Sequence, residues 1–380
     1  MRILVVGCGN IGSVAAEDLA GSLRSADIVV ADKNEERARR VSESIGTDNV
    51  SHCKLDIENR QELHGILKNS TLVLGFLPGG LGYRLVKACI DARRDMVDVS
   101  FMGENLLKLG SEAAEAGVTI VPDCGLAPGI SNLLVGHAVA ELDQVRTVHI
   151  FVGGLPEKPL PPLGYIVTWS PESLIDEYTR KAGIIEEGKK VKVEALTGLE
   201  TIEFPNFGKL EAFYTDGLRT LLNTIQVTDE MWEKTLRYPG HAEKIKVLKA
   251  LGLFNETQVK LEDTVISPRR LTATLLEQKL HKPGVKDVVA LKVEVSGIKN
   301  RRQIAYRYHL LDFYDEKKKT TAMARTTAYT ASIVAQIVLK KTLRGKGLVP
   351  VEKIGADPEL FKMIIGELQK HHVNVTEEVT

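Results

Sequence analysis

The sequence predicts an α/β protein: a doubly wound parallel sheet at the N-terminus, followed by an α+β region. Three observations carry this. Arg2 to Val6 reads as a short strand, apolar from residue 3 and stopped by glycine, and Gly7, Gly9 and Gly12 then fall in the G-x-G-x-x-G spacing. Apolar runs alternate with helical stretches from residue 2 to residue 121, the rhythm that right-handed crossovers impose on parallel strands. Past residue 142 that rhythm stops and alternating apolar segments take over.

The first turn is built for a dinucleotide. Gly7 allows the tight exit from the strand, Gly9 removes a Cβ where a pyrophosphate approaches, and Gly12 lets the helix lie close. With Asn10 and Ile11 they place free N–H groups at a helix N-terminus, which favours an anion. A second apolar run, 28–31, ends at Asp32, about 20 residues past Gly12, where an acid hydrogen-bonds the adenosine ribose. Asp32 also reads as a cap for the helix beginning near Asn34. An acid there favours NAD over its 2′-phosphorylated form, although Lys33 and Arg37 oppose that preference.

Helix 34–45, strand 50–55, helix 57–68 and strand 72–76 follow. LPGGLG then reads as a breaker before helix 83–93, strand 96–99, a short helix 111–117 and strand 118–121. Ligands of such sheets sit at the C-terminal strand ends. The expected cofactor set is therefore Gly7, Gly9, Asn10, Ile11, Gly12, Asp32, Lys33, Asp56, Ile57, Leu77, Pro78, Ser100 and Asp123. The loop PDCGLAPG leads into helix 130–142. Strand 145–152 runs into the proline-rich GGLPEKPLPPLG. Ser170 is an expected N-cap with Pro171 at the first helical position, and Asp357 with Pro358 repeats that signature. Segments 287–296 and 303–314 alternate and flank GIKNRR, which predicts a hairpin. Its sheet can lie open on one face, to close a cleft or join a second subunit. Residues 321–343 read as a long packed helix.

Lys plus Arg and Asp plus Glu both number 50, so no basic footprint marks a nucleic acid or anionic membrane as partner. Cys8, Cys53, Cys89 and Cys124 are widely spaced and read as reduced thiols of a cytoplasmic protein. The histidines show no zinc-like spacing, so no metal is expected. The apolar run before Gly7 is too short for a signal peptide, and no run reaches transmembrane length.

Three places hold candidate chemistry. Tyr83-x-x-x-Lys87 has the spacing of a short-chain dehydrogenase pair but precedes the fifth strand, so it reads as coincidence. Asp123, past the sixth strand, is either a ligand or catalytic acid or a turn residue; its neighbour Cys124 reads as a small buried residue. In LRYPGHAEK, Arg237 can clamp a carboxylate and His241 can carry a proton near neutral pH. The other reading is that Tyr238-Pro239-Gly240 is a turn and His241 merely starts helix 242–251. Arg219, in YTDGLRT, is a weaker candidate for substrate binding, as is Tyr238.

GCGNIG, DVSFM, VPDCGLAPGISN, VGGLP, EAFYTDGLRT and LRYPGHAEKIKVL run in this order. Together they resemble the saccharopine dehydrogenase-like family over nearly the whole chain, nearest to its lysine 6-dehydrogenase branch. The resemblance implies a Rossmann domain (1–124), an inserted α+β substrate and oligomerisation domain (125–318) and C-terminal helices (319–380), of which 321–343 returns to the Rossmann domain. It also implies a homodimer or higher homo-oligomer, an amino acid substrate, and oxidation of L-lysine by NAD and water to 2-aminoadipate 6-semialdehyde and ammonia. On that reading we expect His241 or Asp123 to accept protons and Arg237 to hold the substrate carboxylate. A saccharopine dehydrogenase on the same fold, and a non-catalytic NADH sensor, are the rival expectations.

Overall fold

The computed structural model describes residues 1–282, 284–343 and 345–380. The chain forms two compact units, Met1–Ala140 with Ala324–Asn374, and Glu141–Met323 with Val375–Thr380.

The first unit opens with β1 (Arg2–Val6), α1 (Asn10–Ser22), β2 (Asp27–Asp32), α2 (Glu35–Ile45), β3 (Val50–Lys54), α3 (Arg60–Lys68), β4 (Leu72–Gly75), α4 (Gly79–Asp91), β5 (Asp95–Asp98), α5 (Gly110–Glu115), β6 (Thr119–Val121) and α6 (Ile130–Ala140). The second unit continues with β7 (Gln144–Pro156), α7 (Pro171–Thr179), β8 (Ala182–Glu186), β9 (Lys189–Val193), β10 (Glu200–Phe204), β11 (Gly208–Tyr214) and α8 (Leu221–Thr224). It goes on through β12 (Glu230–Arg237), α9 (His241–Ala250), β13 (Val259–Leu261), β14 (Thr264–Ile266), α10 (Pro268–Leu280), β15 (Asp287–Lys299) and β16 (Arg302–Phe313). The chain then returns as α11 (Ala322–Leu339), β17 (Gly347–Leu348), α12 (Val351–Gly355) and α13 (Pro358–Lys370), and ends in β18 (Val375–Val379).

The first sheet is ordered β3-β2-β1-β4-β5-β6-β17 and is parallel throughout. Direction of winding reverses between β1 and β4, the expected doubly wound switch point. Ile3, Leu4, Val5, Val6 and Leu72–Leu74 are buried, because strands of such a sheet are apolar on both faces. The return helix is present as α11, whose Ser332 hydroxyl donates to Asp18 of α1. The second sheet has nine strands, with β10-β11-β12-β7-β15-β16-β18 as its main path and β8 and β9 attached through β12.

Several expected boundaries shift. Residues 125–140, expected in the substrate domain, pack with the first unit. There a Cβ on Gly136 would lie 2.0 Å from the Glu352 carbonyl oxygen, so α6 and α12 approach closely. LPGGLG is no breaker: α4 starts at Gly79. A Cβ on Gly79 would meet the Phe101 carbonyl at 2.2 Å and one on Gly82 the Ser100 Cβ at 2.4 Å, so these glycines let the helix pack on the segment after β5. GIKNRR is mostly strand, since β15 and β16 pair up to Lys299↔Arg302. Asn300 (φ 51°) and Arg301 (φ 64°) form a two-residue turn of the primed type that suits strand twist. The tail expected to stay with the C-terminal helices instead ends as β18, antiparallel to β16. Ser170 and Asp357 cap their helices as expected, accepting from Ser173 N–H and from Glu359 and Leu360 N–H. Among the described residues no helix is long and apolar enough to cross a membrane, and no cluster of three metal-ligating side chains occurs.

Candidate active site

In the first unit, β1 leads into Gly7 (φ 95°), where a Cβ would lie 2.4 Å from the Phe76 carbonyl oxygen just past β4. A Cβ on Gly12 would lie 1.9 Å from the Gly7 carbonyl oxygen, while one on Gly9 would meet nothing within 4 Å. Gly7 and Gly12 are thus required by the fold itself, and Gly9 leaves open room at the switch point. The N-terminus of α1 has no side-chain cap and no acid in its first turn, so its partial positive charge is not offset locally. This cradle fits a dinucleotide diphosphate.

Asp32 does not cap α2; Asn34 does, accepting from Arg37 N–H. The Asp32 carboxylate instead accepts from Cys8 N–H and Asn34 N–H, both at 2.9 Å. It is therefore fixed beside the glycine turn, with Arg37 at 3.8 Å. Lys33 pairs with Asp56 at 2.9 Å, and this hydrogen bond, with that from Glu58 N–H, holds the Asp56 carboxyl below the usual carboxylate range. Ile57 sits in the hydrophobic core with Leu55 and Leu63, and Leu77 packs against the same core. The Ile57 side chain is therefore part of that core.

At the far strand ends, Ser100 donates through its N–H (2.8 Å) and its hydroxyl (3.0 Å) to the fully buried Asp98, which the sequence reading did not single out. The Cys124 N–H donates to the Asp98 carbonyl at 2.8 Å. Asp123 is buried with φ 54°, a conformation a non-glycine residue seldom adopts. Burial and the nearby Asp98 and Asp123 carboxylates push the Cys124 thiol far up, so it is no nucleophile.

The second unit gathers polar groups on one face of β12. Glu233, Thr235 and Arg237 alternate along it and all are buried. Arg237 donates from Nη2 to Glu177 Oε2 (2.9 Å), from Nη1 to the Leu236 carbonyl (2.8 Å) and from Nε to the Tyr178 hydroxyl (3.3 Å). Its guanidinium lies 4.5 Å from the centre of the Tyr165 ring. The Thr235 hydroxyl donates to Glu177 Oε1 at 2.6 Å. Arg237 is thus held by an internal acid, not poised for a substrate carboxylate.

His241 is also engaged on both sides. Its Nδ1 is 2.9 Å from the Leu163 carbonyl, which only accepts, so Nδ1 carries the proton. Nε2 then accepts from the Tyr178 hydroxyl at 2.8 Å. Burial, then the Arg237 charge, push its pKa down to about 3. The expected proton carrier is therefore a neutral anchor, because desolvation and a like charge disfavour imidazolium. PGH is the turn that starts α9, whose first amides, Gly240 and Ala242, donate to the Glu211 carboxylate. The Tyr238 hydroxyl is bound to the Pro156 and Glu157 carbonyls at 2.8 and 3.0 Å, and burial first, then Glu157, push its pKa up to about 12. Tyr238 tethers β12 to the end of β7.

The structure thus joins Arg237, Tyr238 and His241 in one region, and sets Arg219 (φ 51°) in the loop before α8, near enough to Glu233 for its charge to act there. Glu177, Tyr165, Tyr178 and Glu233 completed this cluster without being anticipated. The signal for the last was the E-x-T-x-R alternation of residues 233–237.

Two family models match the chain: the saccharopine dehydrogenase NADP binding domain over residues 3–121 and the saccharopine dehydrogenase C-terminal domain over residues 125–373. The chain belongs to the saccharopine dehydrogenase family. It is an oxidoreductase with an NAD(P)-binding domain. A saccharopine dehydrogenase (NADP(+), L-glutamate-forming) of Pyricularia oryzae is 23% identical, over 84% of this chain and 72% of that protein. An alpha-aminoadipic semialdehyde synthase of Arabidopsis thaliana is also 23% identical, over 88% of this chain but only 39% of that protein. A carboxyaminopropylagmatine dehydrogenase of Synechocystis is 21% identical over 95% of both. The solved saccharopine dehydrogenase (L-Glu forming) of Saccharomyces cerevisiae shares the fold, with a TM-score of 0.79, 19% identity and coverage of 100% and 99%.

Proposed function

We propose that this protein is an NAD-dependent dehydrogenase that removes the ε-amine of L-lysine, giving 2-aminoadipate 6-semialdehyde and ammonia. The observation that carries this reading is the pairing of the second unit's arginines. Arg237 faces Glu177, Arg269 faces Asp176, and Arg180 faces Asp176 and Asp216. Arginines so matched by internal acids suit a substrate with two amino groups and one carboxylate better than saccharopine, which carries three carboxylates. The names of the relatives favour the second reading, a saccharopine dehydrogenase.

A bound oxidised nicotinamide would supply the acceptor for the hydride of the ε-carbon. Gly7, Gly9, Asn10, Ile11 and Gly12 would hold its diphosphate, and Asp32 its adenosine ribose. The fixed Asp32 charge disfavours a 2′-phosphate, which supports NAD over NADP. The amine must be neutral before hydride leaves, and at pH 7 neutralising lysine's amine costs about 4.6 kcal/mol in water. A desolvated surrounding lowers that cost, since burial disfavours ammonium. With His241 held neutral at both ring nitrogens, Asp123 is the candidate to accept a proton and then to orient water onto the imine, from which ammonia departs.

The test is NADH formation from L-lysine, saccharopine and other amino acids, with ammonia measured alongside. Lysine-dependent NADH with equimolar ammonia is the expected result; NADH from saccharopine without ammonia overturns it. A preference for NADP in the same assay overturns the coenzyme assignment. The same reading carries a cytoplasmic homo-oligomer, checked by light scattering of the purified chain.

A further inference from the structure

The helix α10 carries apolar side chains on the side where a surface helix is usually polar. Its Ala273, Leu276 and Leu280 enter a core cluster with Leu174, Ile175 and Tyr178 of α7. Its Thr272 hydroxyl donates to the Leu253 carbonyl at 2.7 Å. Leu271 and Leu275, one turn apart, lie outside that core and are 45% and 46% exposed. They do not stand alone. Residues 247–275 hold seven of the twelve large hydrophobic side chains exposed among the described residues, including Val247 of α9 and Leu251 at its C-cap. Single exposed leucines are ordinary; an apolar surface concentrated in one segment marks a place of contact.

The charges beside the two leucines identify the occupant. Arg270 and Glu277 are exposed, and among the described residues neither side chain has an ion-pair or hydrogen-bond partner. They are two helical turns apart, about 10 Å along the axis, too far to pair with each other. Both therefore lie on one flank of the Leu271–Leu275 stripe. The midpoint of the charged pair falls between Ala273 and Thr274, and that of the leucines at Ala273. A two-fold axis through this point runs two copies of α10 antiparallel. It sets Leu271 against Leu275 of the second copy and Arg270 against Glu277 of the second copy, and it makes each match twice. A lipid surface fits less well, since Glu277 stands where a basic flank is needed. The 13-residue helix is short for a stable dimer by itself. Leu251 widens the surface, because the turn after α9 is tied to the start of α10 by the Asn255 carbonyl, which accepts from Arg269 N–H at 3.1 Å.

We propose that α10 is the two-fold contact through which two copies of this chain associate, with Leu271 and Leu275 at its centre and Arg270–Glu277 bridges on its flank. The proposal names a surface for the homo-oligomer proposed above, and it does not depend on which amine is oxidised.

The test is the mass of the full chain by light scattering after size exclusion, over a range of concentrations. Leu275→Glu places a carboxylate in the centre of the contact and is expected to halve the wild-type mass. Arg270→Glu and Glu277→Arg each set like charges opposite one another and are expected to weaken association about tenfold or more. The double variant Arg270→Glu, Glu277→Arg puts opposite charges back across the two-fold and is expected to regain the wild-type mass. All three positions are exposed, so NADH affinity should stay unchanged, which shows the variants to be folded. Should Leu275→Glu not fold, the charge variants decide. A monomeric wild type overturns the proposal. Full wild-type mass in Leu275→Glu overturns it too, while leaving a homo-oligomer with its contact elsewhere. A double charge reversal no stronger in association than the single ones also overturns it.

Discussion

The two units hold their polar chemistry in opposite ways. In the first, the cradle consists of backbone amides around Gly7–Gly12, with room left open at Gly9 and a helix end that has no cap. In the second, side chains satisfy one another: Arg237 with Glu177, His241 with Tyr178 and Leu163, Tyr238 with two carbonyls. A site prepared by the backbone waits for its ligand with groups unfilled. A site prepared by side chains hides its reactive members behind internal partners, and among the described residues Glu233 is a buried acid whose Oε2 has no hydrogen-bond partner.

This contrast can be broken first at Arg237. Arg237→Ala strands the Glu177 carboxylate in the interior and should cost about 3–5 kcal/mol of unfolding free energy. Adding Glu177→Gln should recover part of that loss; chemical denaturation measures both, and a strictly additive double variant would show the pair to be uncoupled. In the first unit the two glycines should separate. Gly12→Ala places a methyl against the Gly7 carbonyl and should destabilise by about 1–3 kcal/mol. Gly9→Ala should keep its melting temperature yet bind NADH about tenfold or more weakly, by fluorescence titration. Equal damage to folding from both would erase the distinction between fold glycine and ligand glycine.

Glu233 sharpens the comparison through pH. Its folded pKa, about 8, lies above its ordinary 4.5, so the folded state keeps a proton the unfolded chain releases. The stability this gives is full below pH 4.5 and is lost as pH rises toward 8. Glu233→Gln, which cannot ionise beside Glu177, Asp216 and Arg219, should therefore melt ~3–5 °C above wild type at pH 8.5 and level with it at pH 4.5. The smallest effect belongs to His241. Its folded pKa, about 3, lies below 6.5, so its contribution is present above pH 6.5 and is lost as pH falls toward 3. Its ring stays neutral across the working range, so the pH profile of kcat/KM should keep the same limbs in His241→Gln; a limb near 6.5 that vanishes would restore it as a proton carrier.

The same contrast explains how much could be read from the sequence. The glycine turn, Asp32 and the alternating strands are local, and each signal lies within one strand–helix step, so the parallel sheet and the nucleotide cradle were legible. Tyr165, Glu177, Tyr178, Glu233 and His241 come from four separate elements and loops, far apart in sequence, and meet only in the tertiary structure. Polar residues at every second position usually mark a strand's solvent face, so the alternation of 233–237 is a strand signal that does not tell a buried stripe from an exposed one. The nature of Arg237 and His241 was visible; that their partners would come from inside the protein was not.

The chain passes between the two units three times, at 140/141, 323/324 and 374/375. Neither unit is a continuous piece of polypeptide. During synthesis the nucleotide-binding half must wait for α11, and the second sheet lacks its β18 edge until residues 375–379 have been made. Fragments cut at 140/141 should fail to fold separately but regain structure when mixed, making this enzyme a natural subject for split-protein complementation.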